Sequence, residues 1–173
     1  MGTISITEAT ERGVKALSRK LLKLLEDKNS QVYRENVAKF GIPEEYVKKA
    51  FSEEILLESA TSGKSIFYLA LENKCKILGF AQIIQSDTGT AELDRIVVFP
   101  EFTRKGIGTM LLTRVLKDQK RKGTEFIIVN TGRDETHARS FYEKNGFKQL
   151  KEATIDAPWG KMILVTYQRQ LRP

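Results

Sequence analysis

Apolar positions recur along this chain with two different periods. Residues 4–9 alternate weakly, Ile4 and Ile6 against Ser5 and Thr7, as a first strand would. From Val14 the interval becomes helical, with Leu17, Leu21, Leu22, Leu24 and Leu25 following. Thr7 or Thr10 is placed to cap that helix, with Glu11 in its first turn. Asp27-Lys28-Asn29-Ser30 breaks it. A second helical stretch starts near Val32, is interrupted at Gly41-Ile42-Pro43, and resumes from Pro43 to about Ala60. Proline has no N–H to lose at a first helical position, and Glu44 and Glu45 offset the positive helix end.

The period shortens after Thr61-Ser62-Gly63-Lys64. Residues 65–71 and 75–85 read as a hairpin about Glu72-Asn73-Lys74. Residues 90–99 form a third strand, stopped by Pro100. A glycine-bearing loop then opens a helix with Ile107, Met110, Leu111, Val115 and Leu116 on one face, ended by Gly123. Residues 125–130 are a short Ile- and Val-rich strand of the kind buried on both faces. A helix over 136–145, closed by Gly146, precedes two last strands, 147–155 and 162–170, split by Pro158-Trp159-Gly160. This order predicts a single α/β (α+β) domain over residues 1–173. Its mixed, mostly antiparallel central sheet has about seven strands, with helices on both faces.

Composition narrows the picture. At 173 residues, 40% apolar and 29% charged, the chain can bury a core of its own. No window holds the roughly 18 consecutive apolar residues of a membrane span. The opening residues lack the basic-then-apolar plan of a signal peptide. Lone Cys75 leaves no intrachain disulfide and fits a reducing compartment, so a cytoplasmic location is expected. One His and one Cys argue against a zinc site, and no metal is expected.

The net charge of +7 first suggests a nucleic-acid partner. Its distribution favours something smaller. Residues 1–60 carry ten bases and ten acids. Residues 103–123 carry seven bases (Arg104, Lys105, Arg114, Lys117, Lys120, Arg121 and Lys122) against one acid, Asp118. That cluster is either a solvated helix face or a dock for a compact polyanion.

The dock has a physical basis. A strand ending Val98-Phe99-Pro100 leads through Thr103-Arg104-Lys105-Gly106-Ile107-Gly108 into a helix. A helix N-terminus offers unpaired N–H groups and partial positive charge to phosphate, and Gly106 and Gly108 let an anion approach the backbone. Two rival phosphate motifs fail: Glu58 replaces the first glycine of a P-loop ending Gly63-Lys64-Ser65, and Leu111 replaces the third glycine of a dinucleotide fingerprint.

This stretch resembles the coenzyme A site of the GNAT superfamily of N-acetyltransferases, with its V-x-P strand end and [Q/R]-x-x-G-x-[G/A] loop. A second block, from Ala138 through Phe141-Tyr142 to Gly146-Phe147, looks like the superfamily's A-x-x-F-Y-x-x-x-G-F helix. Thr103 stands where Gln or Arg is usual, and Glu135 where many members have Asn. The resemblance implies acetyl-CoA as cofactor. It also implies a bulged strand that splays from its neighbour and presents backbone groups of Ile96 and Val98 to the pantetheine arm. N–H groups from Arg104, Lys105, Gly106, Ile107, Gly108 and Thr109 would cradle the pyrophosphate, and an N–H near Ile96 or Val97 would polarise the acetyl carbonyl. Tyr142 matches the general acid, or is a core aromatic beside Phe141 and Phe147. Glu92 matches a catalytic base, or is a cross-strand salt bridge. On a regular strand Glu92, Asp94, Ile96 and Val98 share one face, which a bulge would shift.

The expected reaction is acetyl transfer to a primary amine, small-molecule or protein-borne. The helical N-terminal part, with Tyr33, Phe40, Tyr46, Phe51 and the acids Glu44, Glu45, Glu53, Glu54 and Glu58, would suit a cationic acceptor. With the Glu92-Leu93-Asp94-Arg95-Ile96 run, this layout looks like the polyamine (spermidine/spermine) acetyltransferase branch. Protein N-terminal or lysine acetylation is the enzymatic alternative. A basic nucleic-acid-binding module, or a CoA-binding regulator without turnover, is the alternative of another class. No membrane partner is expected, and a homodimer is.

Overall fold

The computed structural model describes residues 2–172. Seven strands form one sheet: β1 (Ile4–Glu8), β2 (Ser65–Glu72), β3 (Lys76–Ile84), β4 (Thr90–Val98), β5 (Phe126–Gly132), β6 (Lys148–Ala157) and β7 (Gly160–Gln170). Their spatial order is β1-β2-β3-β4-β5-β7-β6, and every pairing is antiparallel except β4 with β5. The sheet alternation expected from the sequence is explicit on β2. Phe67 and Leu69 enter one apolar cluster, and Tyr68 and Ala70 enter the other. Burying both faces in this way requires helices on both sides of the sheet.

On one face lie α1 (Glu11–Glu26), α2 (Gln31–Tyr33), α3 (Glu44–Ala50) and α4 (Glu53–Thr61). Thr10 caps α1 by accepting from the Gly13 N–H at 3.2 Å, and the helix buries Val14, Leu17, Leu21 and Leu25. On the other face α5 (Ile107–Arg121) buries Ile107, Leu111, Leu112 and Val115, next to Tyr142 of α6 (Thr136–Lys144). Among the described residues no helix is long and apolar enough to cross a membrane.

The N-terminal helical region departs from the expected pattern twice. The stretch over 43–60 is not one helix: α3 stops at Ala50, Phe51 is buried, and Ser52 caps α4 by accepting from the Ile55 N–H at 3.4 Å. The carbonyl of Phe51, freed by the break, accepts a 2.7 Å hydrogen bond from buried Ser18 of α1. The stretch from Val32 also changes pitch. α2 runs straight into a π-helical turn, Arg34–Ala38. Such turns widen the backbone and often mark functional sites. Here the turn brings Glu35, Asn36, Lys39 and Phe40 to the same cleft as the centre of the sheet.

Candidate active site

The cleft follows from one irregularity in β4. Leu93 pairs with Ile83 and Arg95 with Gln82, so Asp94 is an extra residue with no partner on β3. A bulge of this kind bends the strand and reverses which face the following residues present. Ala91 and Leu93 point to the α5 side before it, and Ile96 and Val98 point there after it. Glu92 therefore does not share a face with Ile96 and Val98, as a regular strand would have it. It falls instead on the side taken up by Arg95, Val97 and Phe99.

The bulge also opens the sheet. β4 pairs with β5 only through Thr90, Ala91 and Glu92, although both strands continue. From Asp94 onward β4 has a free edge. Phe99 N–H donates to the Leu78 carbonyl of β3 at 2.9 Å. By strand alternation Val97 and Arg95 are also directed to β3, so the backbone groups of Ile96 and Val98 face the open slot. Gly79 makes this geometry possible: a Cβ there would lie 2.4 Å from the Val97 carbonyl oxygen. Nothing in the local sequence pattern singled Gly79 out, because the demand comes from a strand distant in sequence.

At the end of β4, Pro100–Phe102 form a single 3-10 turn, and Thr103 donates its hydroxyl to the Pro100 carbonyl at 3.0 Å. Thr103 therefore serves the turn. Arg104 (φ 60°) and Gly106 (φ 75°) both take left-handed conformations, and no atom lies within 4 Å of a Cβ built at Gly106. The first-turn N–H groups of α5, from Ile107, Gly108 and Thr109, emerge beside this open ground with no preceding carbonyl to bond. Gly108 acts differently: a Cβ there would meet the Phe141 ring at 3.6 Å and Val98 at 3.7 Å, ordinary van der Waals contact with α6 and β4. Lys76 and Lys105 lie over the Phe102 ring at 4.6 and 5.8 Å, adding positive charge at the same corner. An open strand edge, a helix N-terminus and this basic corner fit a long ligand with amides at one end and phosphates at the other.

The slot opens into a cleft of about 490 Å³ between β4, β5, the start of α6 and the N-terminal helices. Tyr142 lines it and is only 7% exposed, with its ring against Phe141, Phe147 and Tyr167 at 5.6, 5.6 and 6.2 Å. Burial, and then the nearby Glu135 carboxylate, push its pKa well above the ordinary tyrosine value, so its proton is firmly held. Glu92 is not among the residues that line the cleft. Its carboxylate accepts from Asn130 Nδ2 at 3.0 Å, and Asn130 lines the cleft while accepting from Thr166 at 2.6 Å. His137 lines the mouth and is exposed.

The cleft is acidic, but not through the glutamates that the sequence brought forward. Glu44 pairs with Lys48, and Glu53 with Lys15 and Arg19. The carboxylates on the cleft wall are Glu35, Asp94, Asp134 and Glu135, facing Lys39 and Arg95. Of the aromatics, Phe40 and Phe51 line it, whereas exposed Tyr46 stacks edge-on against Trp159 at 5.8 Å and ties α3 to the β6–β7 turn. Arg95 lies over the Phe51 ring at 4.8 Å, with Asp94 at 3.5 Å and its buried Nη1 unpaired. Glu135 is the most constrained acid. Burial raises its pKa, but hydrogen bonds from the Thr131 hydroxyl and Gly132 N–H, both 2.7 Å, and from Lys39 at 3.1 Å outweigh that and hold it below the usual carboxylate range.

Comparison with known proteins agrees with this construction. Residues 17–147 match the Acetyltransferase (GNAT) family. The chain is 32% identical over 117 residues to a spermidine N(1)-acetyltransferase of Thermoplasma acidophilum, covering 68% of this chain and 71% of that one. It is 32% identical over 88 residues to a ribosomal protein bS18-alanine N-acetyltransferase of Haemophilus influenzae, covering 51% and 59%. The fold superposes on the PaiA N-acetyltransferase of Thermoplasma acidophilum, solved in complex with coenzyme A, with a TM-score of 0.69, 24% identity and coverage of 97% and 99%. The chain belongs to the GNAT acetyltransferase family. It is thus an N-acetyltransferase dependent on acetyl-CoA, with the mixed seven-stranded fold of that family.

Proposed function

We propose that this enzyme acetylates a primary amine of a polyamine. The observation that carries the proposal is the acidic cleft: Glu35, Asp94, Asp134 and Glu135 outnumber Lys39 and Arg95 around the cleft that Tyr142 lines. Such a surplus attracts a flexible polycation and holds it near the acetyl group. The likeness to a spermidine N(1)-acetyltransferase supports the same reading.

Acetyl-CoA, when bound, supplies a thioester whose carbon–sulfur bond is exchanged for a carbon–nitrogen bond to the amine. Ile96 and Val98 hold the pantetheine amides through their slot-facing backbone groups, and Val97 forms the adjoining strand wall. The N–H of Ile96 is the donor toward the acetyl carbonyl. The backbone from Arg104 through Lys105, Gly106, Ile107 and Gly108 to Thr109 holds the phosphates. Glu92 takes the amine proton through solvent at Asn130, since its carboxylate is hydrogen-bonded to that residue rather than lying on the cleft wall. Tyr142 returns a proton to the departing thiolate, and its raised pKa keeps that proton available across the neutral range.

Incubation with acetyl-CoA and spermidine, followed by mass spectrometry of the small-molecule fraction, tests the reading. Monoacetylspermidine formed in step with free thiol is expected. Thiol release that is unchanged by spermidine would remove the polyamine as acceptor.

A further inference from the structure

The Lys39–Glu135 pair joins residues 96 apart in sequence across the mouth of the cleft. Both of the carboxylate's oxygens are engaged. Oε2 is fixed by Thr131 and Gly132, and Oε1 receives the Lys39 ammonium at 3.1 Å. The same Nζ lies 5.5 Å from the centre of the Phe40 ring, which also lines the cleft. A rigid carboxylate and an aromatic face together make a complete seat for an alkylammonium group. Its occupant, the Lys39 side chain, is a four-carbon arm ending in an ammonium, chemically the same as one arm of a polyamine. Lys39 is 39% exposed, so the occupant has a way out to solvent, whereas Glu135 is 27% exposed and anchored by Thr131 and Gly132. The π-helical turn directly before Lys39 gives that arm its own local backbone, separate from the sheet.

We infer that Glu135 is a binding site for an ammonium group of the acceptor, and that Lys39 fills it as an internal surrogate until the acceptor displaces it. The inference rests on the polyamine reading and adds a specificity residue to it. It also gives the cleft a selectivity filter: only an acceptor that supplies its own ammonium replaces what Lys39 loses. A purely structural strap would make the opposite demand, since both partners would then be needed for an intact cleft.

The two roles separate by sign. Spermidine is titrated calorimetrically into the CoA-saturated protein and into its K39M, K39R and E135Q variants, with melting temperatures taken in parallel. Removing the competing ammonium in Lys39→Met should tighten spermidine binding by about threefold, and Glu135→Gln should weaken it by about tenfold. Lys39→Arg should stay near the wild-type value. Glutamine keeps an oxygen for Thr131 and Gly132, so the local turn is retained. If K39M and E135Q shift the Kd in the same direction, or neither moves it, the inference is overturned. Mass spectrometry on parallel incubations of the same four proteins with acetyl-CoA and spermidine separates this from the proposed reaction. The predicted binding pattern without turnover keeps the ammonium site and removes the reaction, whereas turnover with unmoved Kd values removes the site alone. Absence of spermidine binding in every sample overturns both.

Discussion

The two sides of the cleft are built by different means. On the proposed cofactor side, a continuous run from Thr90 to Arg121 supplies strand, bulge, turn and helix, and most of what would face the ligand is backbone. On the proposed acceptor side, Glu35, Asp94 and the adjacent pair Asp134 and Glu135 come from three separate places in the chain, and what would face the ligand is side-chain charge. Backbone recognition tolerates changes of side chain but not of conformation. Side-chain recognition behaves the other way. The family keeps one cofactor while acceptors differ, and this division of labour permits that.

Tyr142 sits where the two sides meet, so its removal should have the largest effect. Tyr142→Phe should lower kcat by about 10²- to 10⁴-fold, the range for loss of a general acid, with acetyl-CoA affinity nearly unchanged. Steady-state kinetics with both substrates varied checks this, and an unchanged kcat would confine Tyr142 to the core.

A backbone-built cofactor side predicts that a single added methyl can damage it. In Gly79→Ala the new Cβ collides with the Val97 carbonyl, forcing β3 and β4 apart beside the slot. The expected cost is about 1–3 kcal/mol in denaturant unfolding, with a raised KM for acetyl-CoA. Equal KM values would show that the slot does not depend on this contact. By contrast, Arg104→Ala and Lys105→Ala remove exposed charges only. Each should raise the KM for acetyl-CoA by no more than about fivefold, less at high salt.

The difference between the two sides also explains what the sequence disclosed. Strand positions, turns and most helix faces were legible because period and punctuation are local properties, and the loop from Val98 to Gly108 carried its motif in consecutive residues; Met110, expected on the inner face of α5, is instead 38% exposed. The face occupied by Glu92 was not legible, because one unpaired residue, Asp94, reverses every position after it. Neither was the source of the acidity. Glu44 and Glu53 looked free on paper and are consumed by nearby lysines and an arginine, whereas Glu35 reaches the cleft only because a π-helical turn follows α2. The break at Phe51 has a similar origin: Ser18, 33 residues away, supplies the hydrogen bond that makes ending the helix there tolerable. Ser18→Ala should therefore cost about 1–3 kcal/mol by leaving a buried carbonyl unpaired, read as a lower melting temperature.

The smallest expected effect concerns acid. Glu135 has a folded-state pKa below its unfolded value of 4.5, so its contribution to stability is fully present above that pH and is lost as pH falls through the lower, folded value. The melting-temperature gap between wild type and Glu135→Gln should be largest near neutral pH and close at more acidic pH. A gap independent of pH would mean that the carboxylate's charge contributes nothing.

The central claim is that side-chain charge on the acceptor side selects a polycationic amine. It is tested most directly by competition in one tube: spermidine and an alanine-terminated peptide at equal concentration, limiting acetyl-CoA, and both acetylated products quantified by mass spectrometry. The account predicts that spermidine takes most of the acetyl groups and that its advantage shrinks as salt is added. A product mixture dominated by acetylated peptide, at low and high salt alike, would contradict it.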